Sequence, residues 1–185
     1  MVILGVDPGS LITGYGVLES HNGKLKVLAC DAIKNESHLQ MPMRLKRIFE
    51  TLSKVIDEYH PDELAIETAF YGKNAQSALK LGHARGVAML AAVCRDIPTR
   101  EYSPREVKKA IVGNGNASKD QIQYMVKSLL KLKQTPRYYD TTDALAVAIC
   151  HLHRTTLPHK RFKSWKAFVF EHPEKISRSE RSHAR

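Results

Sequence analysis

Four carboxylates carry the chemistry open to this sequence: Asp7, Glu67, Asp140 and Asp143. Asp7 ends the apolar run Val2-Ile3-Leu4-Gly5-Val6 and is followed by Pro8-Gly9-Ser10, which reads as a buried strand closed by a turn. Glu67 follows Leu64-Ala65-Ile66 in the same way, and Asp140 and Asp143, at i and i+3, share one face of a predicted helix. Ligands of open α/β sheets bind outside the carboxyl ends of strands, where Asp7 and Glu67 fall. Hard divalent cations take oxygen ligands. Two Mg²⁺ ions about 3.5 to 4 Å apart are a common device for phosphodiester hydrolysis, one activating the water and the other stabilising the leaving oxygen. The four acids read as a metal-dependent site for a phosphate.

Each acid also has a plainer role. Asp7 before Pro-Gly suits a turn, Glu67 a solvated strand end, Asp140 an N-cap, and Asp143 the positive end of a helix dipole. The setting favours a shared site. Ala144-Leu145-Ala146-Val147-Ala148-Ile149 makes the following helix apolar nearly all round and hence buried, and buried acids need cations or hydrogen-bond donors. Other chemistry is thin: there is no serine or cysteine nucleophile motif, His151 and His153 fall on opposite sides of a helix, and Gly113 to Lys119 lacks the spacing of a phosphate-binding P-loop.

The elements that must position these acids are legible from periodicity and turn chemistry. Val2 to Val6 forms a first strand, Gly14 to Leu18 a second and Lys24 to Ile33 a third, with Asn22-Gly23 the turn of a hairpin. Leu45, Ile48, Phe49, Leu52, Val55 and Ile56 predict an amphipathic helix from Met43 to Tyr59. A short strand over residues 62–67 follows, then a helix from Ala75 to Asp96, a strand from Pro98 to Ser103, and a helix from Pro104 to Gly113. Ser118-Lys119-Asp120-Gln121 has the form of a capping box and starts a helix running through Leu132, and a last helix spans Asp140 to His153. Gly82 and Gly86 each cost about 1 kcal/mol inside a helix, so they predict close approach of another backbone, on the sheet or across a helix-to-helix dimer contact. The element order implies an α/β fold with a mixed sheet covered on both faces.

Length and composition bound the class. A chain of 185 residues, 43% hydrophobic and 26% charged, fits one globular domain, and no apolar run reaches the roughly 18 residues of a membrane span. The opening residues lack the pattern of a secretory leader, which predicts a cytoplasmic protein with no membrane contact. Cys30, Cys94 and Cys150 are too scattered for a disulfide framework or a zinc site and are predicted to be small core residues. With 29 Lys and Arg against 19 Asp and Glu, the net charge of +10 favours a polyanionic partner. From Thr156 onward, eight basic residues face three acidic ones, with Phe162, Trp165, Phe168 and Phe170 among them.

Taken together, several blocks resemble the RuvC family of bacterial Holliday-junction resolvases. They are Leu4 to Ser10 with Thr13-Gly14-Tyr15-Gly16, then Ala65-Ile66-Glu67 with Phe70 and Lys73-Asn74-Ala75. Ser77 to Gly86 and Asp140-x-x-Asp143-Ala144-Leu145-Ala146 complete the set. The resemblance covers roughly Met1 to His153. It implies an RNase H-like fold, here a five-stranded mixed sheet flanked by helices, with residues 1–154 as the nuclease domain; residues 155–185 match no motif of the family and read from composition as a basic, partly disordered tail. It further implies a homodimer that makes paired, symmetrical nicks in a four-way DNA junction during recombination and repair, with RuvA and RuvB as partners. Asp7, Glu67, Asp140 and Asp143 become the catalytic metal ligands, for two Mg²⁺ ions with Mn²⁺ able to substitute. Lys108 and Lys119 fall near the scissile phosphate, Phe70 is placed to stack on a junction nucleotide, and Lys73 joins them in contacting DNA. Three alternatives stand beside this: a non-catalytic DNA-binding module, a related RNase H-like nuclease acting on RNA, and an actin-like or sugar-kinase-like ATPase. The last requires a second glycine-rich loop and a larger chain.

Overall fold

The computed structural model describes residues 1–68 and 75–156. Five strands form one sheet: β1 (Val2–Asp7), β2 (Ile12–His21), β3 (Lys24–Lys34), β4 (Glu63–Glu67) and β5 (Thr99–Tyr102), in the order β3-β2-β1-β4-β5. The first three are antiparallel, whereas β4 and β5 run parallel to β1, as expected of a mixed sheet. Asn22 and Gly23 both adopt positive φ, the geometry of the tight turn that Asn-Gly predicts between β2 and β3.

Helices α1 (Met41–Tyr59) and α2 (Ala75–Val93) cover one face, where Ile48, Leu52, Val55 and Ile56 meet Leu4, Val6, Val17, Leu64 and Ile66. Helices α3 (Pro104–Val112), α4 (Lys119–Leu129) and α5 (Tyr139–Thr156) cover the other, packing on Ile3, Leu18, Ala65 and Tyr102. Both α3 and α4 begin with complete capping boxes, Ser103 with Glu106 and Ser118 with Gln121. The first was not singled out from sequence. Helix α4 stops three residues before the predicted Leu132. Lys131 turns left-handed there, and the Leu132 N–H donates back to the Lys127 carbonyl, a helix-ending closure made without glycine.

Two expectations need correction. Only Cys150 is a core cysteine; Cys30 is half-buried and Cys94, directly after the last residue of α2, is exposed. Gly82 and Gly86 do not serve packing on the sheet, since a Cβ at either would meet nothing. The close packing of α2 is done instead by Ala84, Ala88, Ala91 and Ala92, all fully buried. Among the described residues, no helix is long and apolar enough to cross a membrane.

Candidate active site

The strand alternation places the acids. In β1 the side chains of Leu4 and Val6 enter the core beneath α1 and α2, so Ile3, Gly5 and Asp7 face α5. In β4, Leu64 and Ile66 likewise face α1 and α2, so Ala65 and Glu67 turn to the α5 side. Val6 pairs with Ile66 in the parallel register, which sets Asp7 and Glu67 side by side at the carboxyl ends of adjacent strands.

Helix α5 supplies the other two acids, and its seat depends on absent side chains. A Cβ on Gly5 would collide with the Ala144 carbonyl, and one on Gly14 would collide with the Asp140 carbonyl. Gly14 is the cross-strand partner of Asp7, so the first turn of α5 rests directly over the strand end that carries Asp7. Residues Ala144 through Cys150 are fully buried, which fixes the helix that presents Asp140 and Asp143. The loop after β1 is closed by buried Thr13, whose hydroxyl donates to the Gly9 carbonyl at 2.6 Å.

Asp7, Glu67 and Asp143 line one cleft of about 330 Å³ with Lys108 and Lys119, walled by Pro8, Thr68, Leu81, Pro104, Val107 and Ile122. Burial pushes the Asp7 carboxyl well above the usual range, and the charges of Glu67, Asp143 and Asp140 add to the effect. Glu67 is pushed up to about 7, first by burial and then by Asp143. Asp143 is also raised, by burial first, while Lys119 and Lys108 act in the opposite direction. Lys119 Nζ lies 3.7 Å from Asp143 Oδ2. A cation in the first turn of α4 opposes that helix's dipole by roughly 0.3 to 1 kcal/mol, and Asp143 across the cleft offsets this. Asp120 is engaged elsewhere, accepting from the Tyr139 hydroxyl at 3.2 Å. Among the described residues, three carboxyls thus line the cleft against two lysines.

The structure brings together Asp7, Glu67, Asp143, Lys108 and Lys119 in the cleft, with Asp140 one turn from Asp143 at its edge. Phe70 and Lys73 lie outside the described residues, as does the basic tail beyond Thr156. Sequence reasoning passed over the seating role of Gly14, although Thr13-Gly14-Tyr15-Gly16 stood out as a block. It also passed over Arg137-Tyr138-Tyr139, directly before Asp140, where a cation beside two aromatics was the available signal.

The family model for the crossover junction endodeoxyribonuclease RuvC matches residues 3–151. The RuvC of Christiangramia forsetii is 45% identical over 177 residues, covering 95% of this chain and 92% of that protein. The structure of Thermus thermophilus RuvC in complex with a Holliday junction substrate superposes with a TM-score of 0.79 at 32% identity, covering 84% of this chain and 94% of the other. A yeast mitochondrial Holliday junction resolvase shares the fold at a TM-score of 0.57 and 14% identity, over 80% of this chain and 76% of that one. The sheet order, the helices on both faces and these matches establish the RNase H-like α/β fold, and the chain belongs to the RuvC family of crossover junction endodeoxyribonucleases.

Proposed function

We propose that this junction endonuclease works through Asp7, Glu67, Asp140 and Asp143 as ligands of two divalent cations, Mg²⁺ with Mn²⁺ able to substitute. The observation that carries the reading is a cleft in which carboxylates from β1, β4 and α5 meet with raised protonation and too few cations. The donor set is hard oxygen, which suits Mg²⁺. Among the described residues no three acids form a ready-made metal cage. Mutual repulsion of buried carboxylates is what a bound cation relieves. When bound, the metals supply an activated water and neutralise charge on the phosphate.

The chain's own residues do the rest. The β1 and β4 ends fix two acids on a rigid sheet, and the buried body of α5 fixes the other two. Lys119 and Lys108 stand on the opposite wall, where an ammonium can offset negative charge on the scissile phosphate. Leu81, Pro104, Val107 and Ile122 form an apolar rim that limits water. Phe70 and Lys73, close in sequence to Glu67, are assigned to DNA contact by their place in the motif.

A homodimer fits a substrate with twofold symmetry. Its support is the outer face of α2, where Leu79, Leu90 and Val93 are 61%, 52% and 56% exposed and Gly82 and Gly86 lie open between them. These positions recur at the three-and-four spacing of a helix-packing seam. Family membership also supports RuvA and RuvB as partners and the cytoplasm as the location.

The test is to incubate the protein and its Asp7→Asn variant with a synthetic four-way DNA junction, with and without Mg²⁺, beside linear duplex and RNA–DNA hybrid controls. Paired symmetrical nicks that require both Mg²⁺ and Asp7, with junction binding retained in the variant, are the expected result. Binding without cutting under any condition would favour a non-catalytic module, and cutting of the hybrid alone would favour an RNA-directed nuclease.

A further inference from the structure

Lys34 and Arg137 lie far apart in sequence yet flank one aromatic ring. Lys34 Nζ is 4.1 Å and Arg137 Cζ 5.6 Å from the centroid of Tyr138. Both cations are exposed, and neither forms an ion pair among the described residues. Attraction to the ring face holds each cation in place. Gathering two like charges without a counter-charge is unfavourable, and an anion is the natural third member.

The location says which anion. Lys34 ends β3 and pairs with Ile12, at the end of the sheet where β1 delivers Asp7. Ile33 points into the core under α1, so Lys34 lies on the opposite face, the face of α5 and the acids. Tyr138 immediately precedes α5 and is two residues from Asp140. Only β2 separates β3 from β1, so the cluster stands about 10 Å to one side of the strand carrying Asp7, two inter-strand spacings away.

We infer that Lys34, Arg137 and Tyr138 form a phosphate-binding site beside the catalytic cleft, which takes a backbone phosphate of a junction arm flanking the scissile one. The inference rests on the cleft being the nuclease centre. A guanidinium fork and an ammonium are the side chains that hold phosphate, one by directed hydrogen bonds and the other as a point charge. The cleft itself is rich in carboxylates, which offer a phosphate no attraction of their own. Attraction of the backbone in register must then come from cations set outside it. A site of this kind positions the strand without reading its sequence.

The test measures metal-free binding of a synthetic four-way junction across a salt series. It compares the unsubstituted chain, the double variant Lys34→Ala/Arg137→Ala, and a control, Lys24→Ala/Lys26→Ala, which removes the same charge from the far end of β3. Each lost phosphate contact lowers the slope of log K against log salt by about 1. The double variant is expected to lose about 1 from the slope and roughly tenfold or more in affinity at moderate salt, the control neither. Its nicking with Mg²⁺ at subsaturating protein should fall in step with its affinity. An unchanged slope, an equal loss in the control, or slower nicking with unchanged binding would each overturn the site. Failure of the unsubstituted chain to cut the junction at all would strike the nuclease reading instead, and is scored separately in the same experiment.

Discussion

The two ends of α5 treat buried charge in opposite ways. At its start, Asp140 and Asp143 join Asp7 and Glu67, and the one ion pair among the described residues is Lys119 at 3.7 Å from Asp143. At its far end, fully buried His151 lies with Nδ1 at 2.7 Å from the Tyr102 hydroxyl and Nε2 at 3.5 Å from Glu63 Oε2. Arg100 stands 3.6 Å from that same Glu63 oxygen, and Arg154 pairs with Glu106 at 2.9 Å and lies over the Tyr102 ring. At the far end, Glu63 has Arg100 and Glu106 has Arg154 as partners of opposite sign within the protein. The start is not paired off in this way among the described residues, and a protein that leaves carboxylates unbalanced in a cleft has left room for a cation from outside. The same helix thus shows what a polar cluster looks like when it serves the fold and when it serves a ligand.

The contrast breaks most completely at Glu67. Glu67→Gln is expected to cut nicking by roughly 10³-fold or more, since on the proposed reading it removes a ligand of the metal, an effect worth several kcal/mol. The same change should help the metal-free fold. Glu67 holds its proton up to about 7 in the folded chain against 4.5 when free, so the folded state binds a proton that the unfolded state releases. Metal-free stability must then fall as pH rises from about 4.5 through 7, by on the order of 3 kcal/mol from this group. Urea unfolding in a chelator at pH 5 and pH 8 measures the fall, and Glu67→Gln should flatten it. An unsubstituted chain more stable at pH 8 than at pH 5 would mean that no such repulsion exists at this end of α5.

Lys119 sharpens the comparison because, among the described residues, it is the one cation within ion-pair distance of the acids. Lys119→Ala is expected to lower single-turnover nicking by about 10²-fold, the usual effect of losing one charge-stabilising donor, with a smaller change in junction affinity. It also removes a charge that holds down the Asp7, Glu67 and Asp143 carboxyls. The rising limb of the pH–rate profile should therefore move to higher pH. A lower rate with an unmoved limb would assign Lys119 to the substrate alone.

Much of this was legible in the sequence because the signals are local. Asn22-Gly23 announces its hairpin, Ser118 to Gln121 its capping box, and the apolar run after Asp143 its burial. Alternation along β1 and β4 sufficed to bring Asp7 and Glu67 together once the strands were taken as neighbours. What escaped depends on pairs distant in the chain. Gly14 matters because Asp140 lies over it, and Lys34 because Tyr138 reaches it; neither juxtaposition has a spacing to read. Gly82 and Gly86 left the side of approach open for a related reason. A glycine pair in a helix signals close approach but not from which side, and the buried alanines of α2 had already filled the sheet side.

The smallest effect on catalysis belongs to the closed end. Tyr102→Phe keeps the ring beneath Arg154 and removes only the hydroxyl that meets His151 Nδ1. His151 is fully buried, so its freed nitrogen cannot turn to water, and stability should drop by about 1 to 3 kcal/mol. Nicking at saturating Mg²⁺ should stay within about twofold, because the damage lies toward the opposite end of a helix whose first turn is held independently over Gly14. Denaturant unfolding and junction nicking on the same preparation separate the two readouts. A loss of nicking as large as that of Lys119→Ala, in a chain still folded, would show that the two ends of α5 act as one unit and that the far cluster supports the reaction as well as the fold.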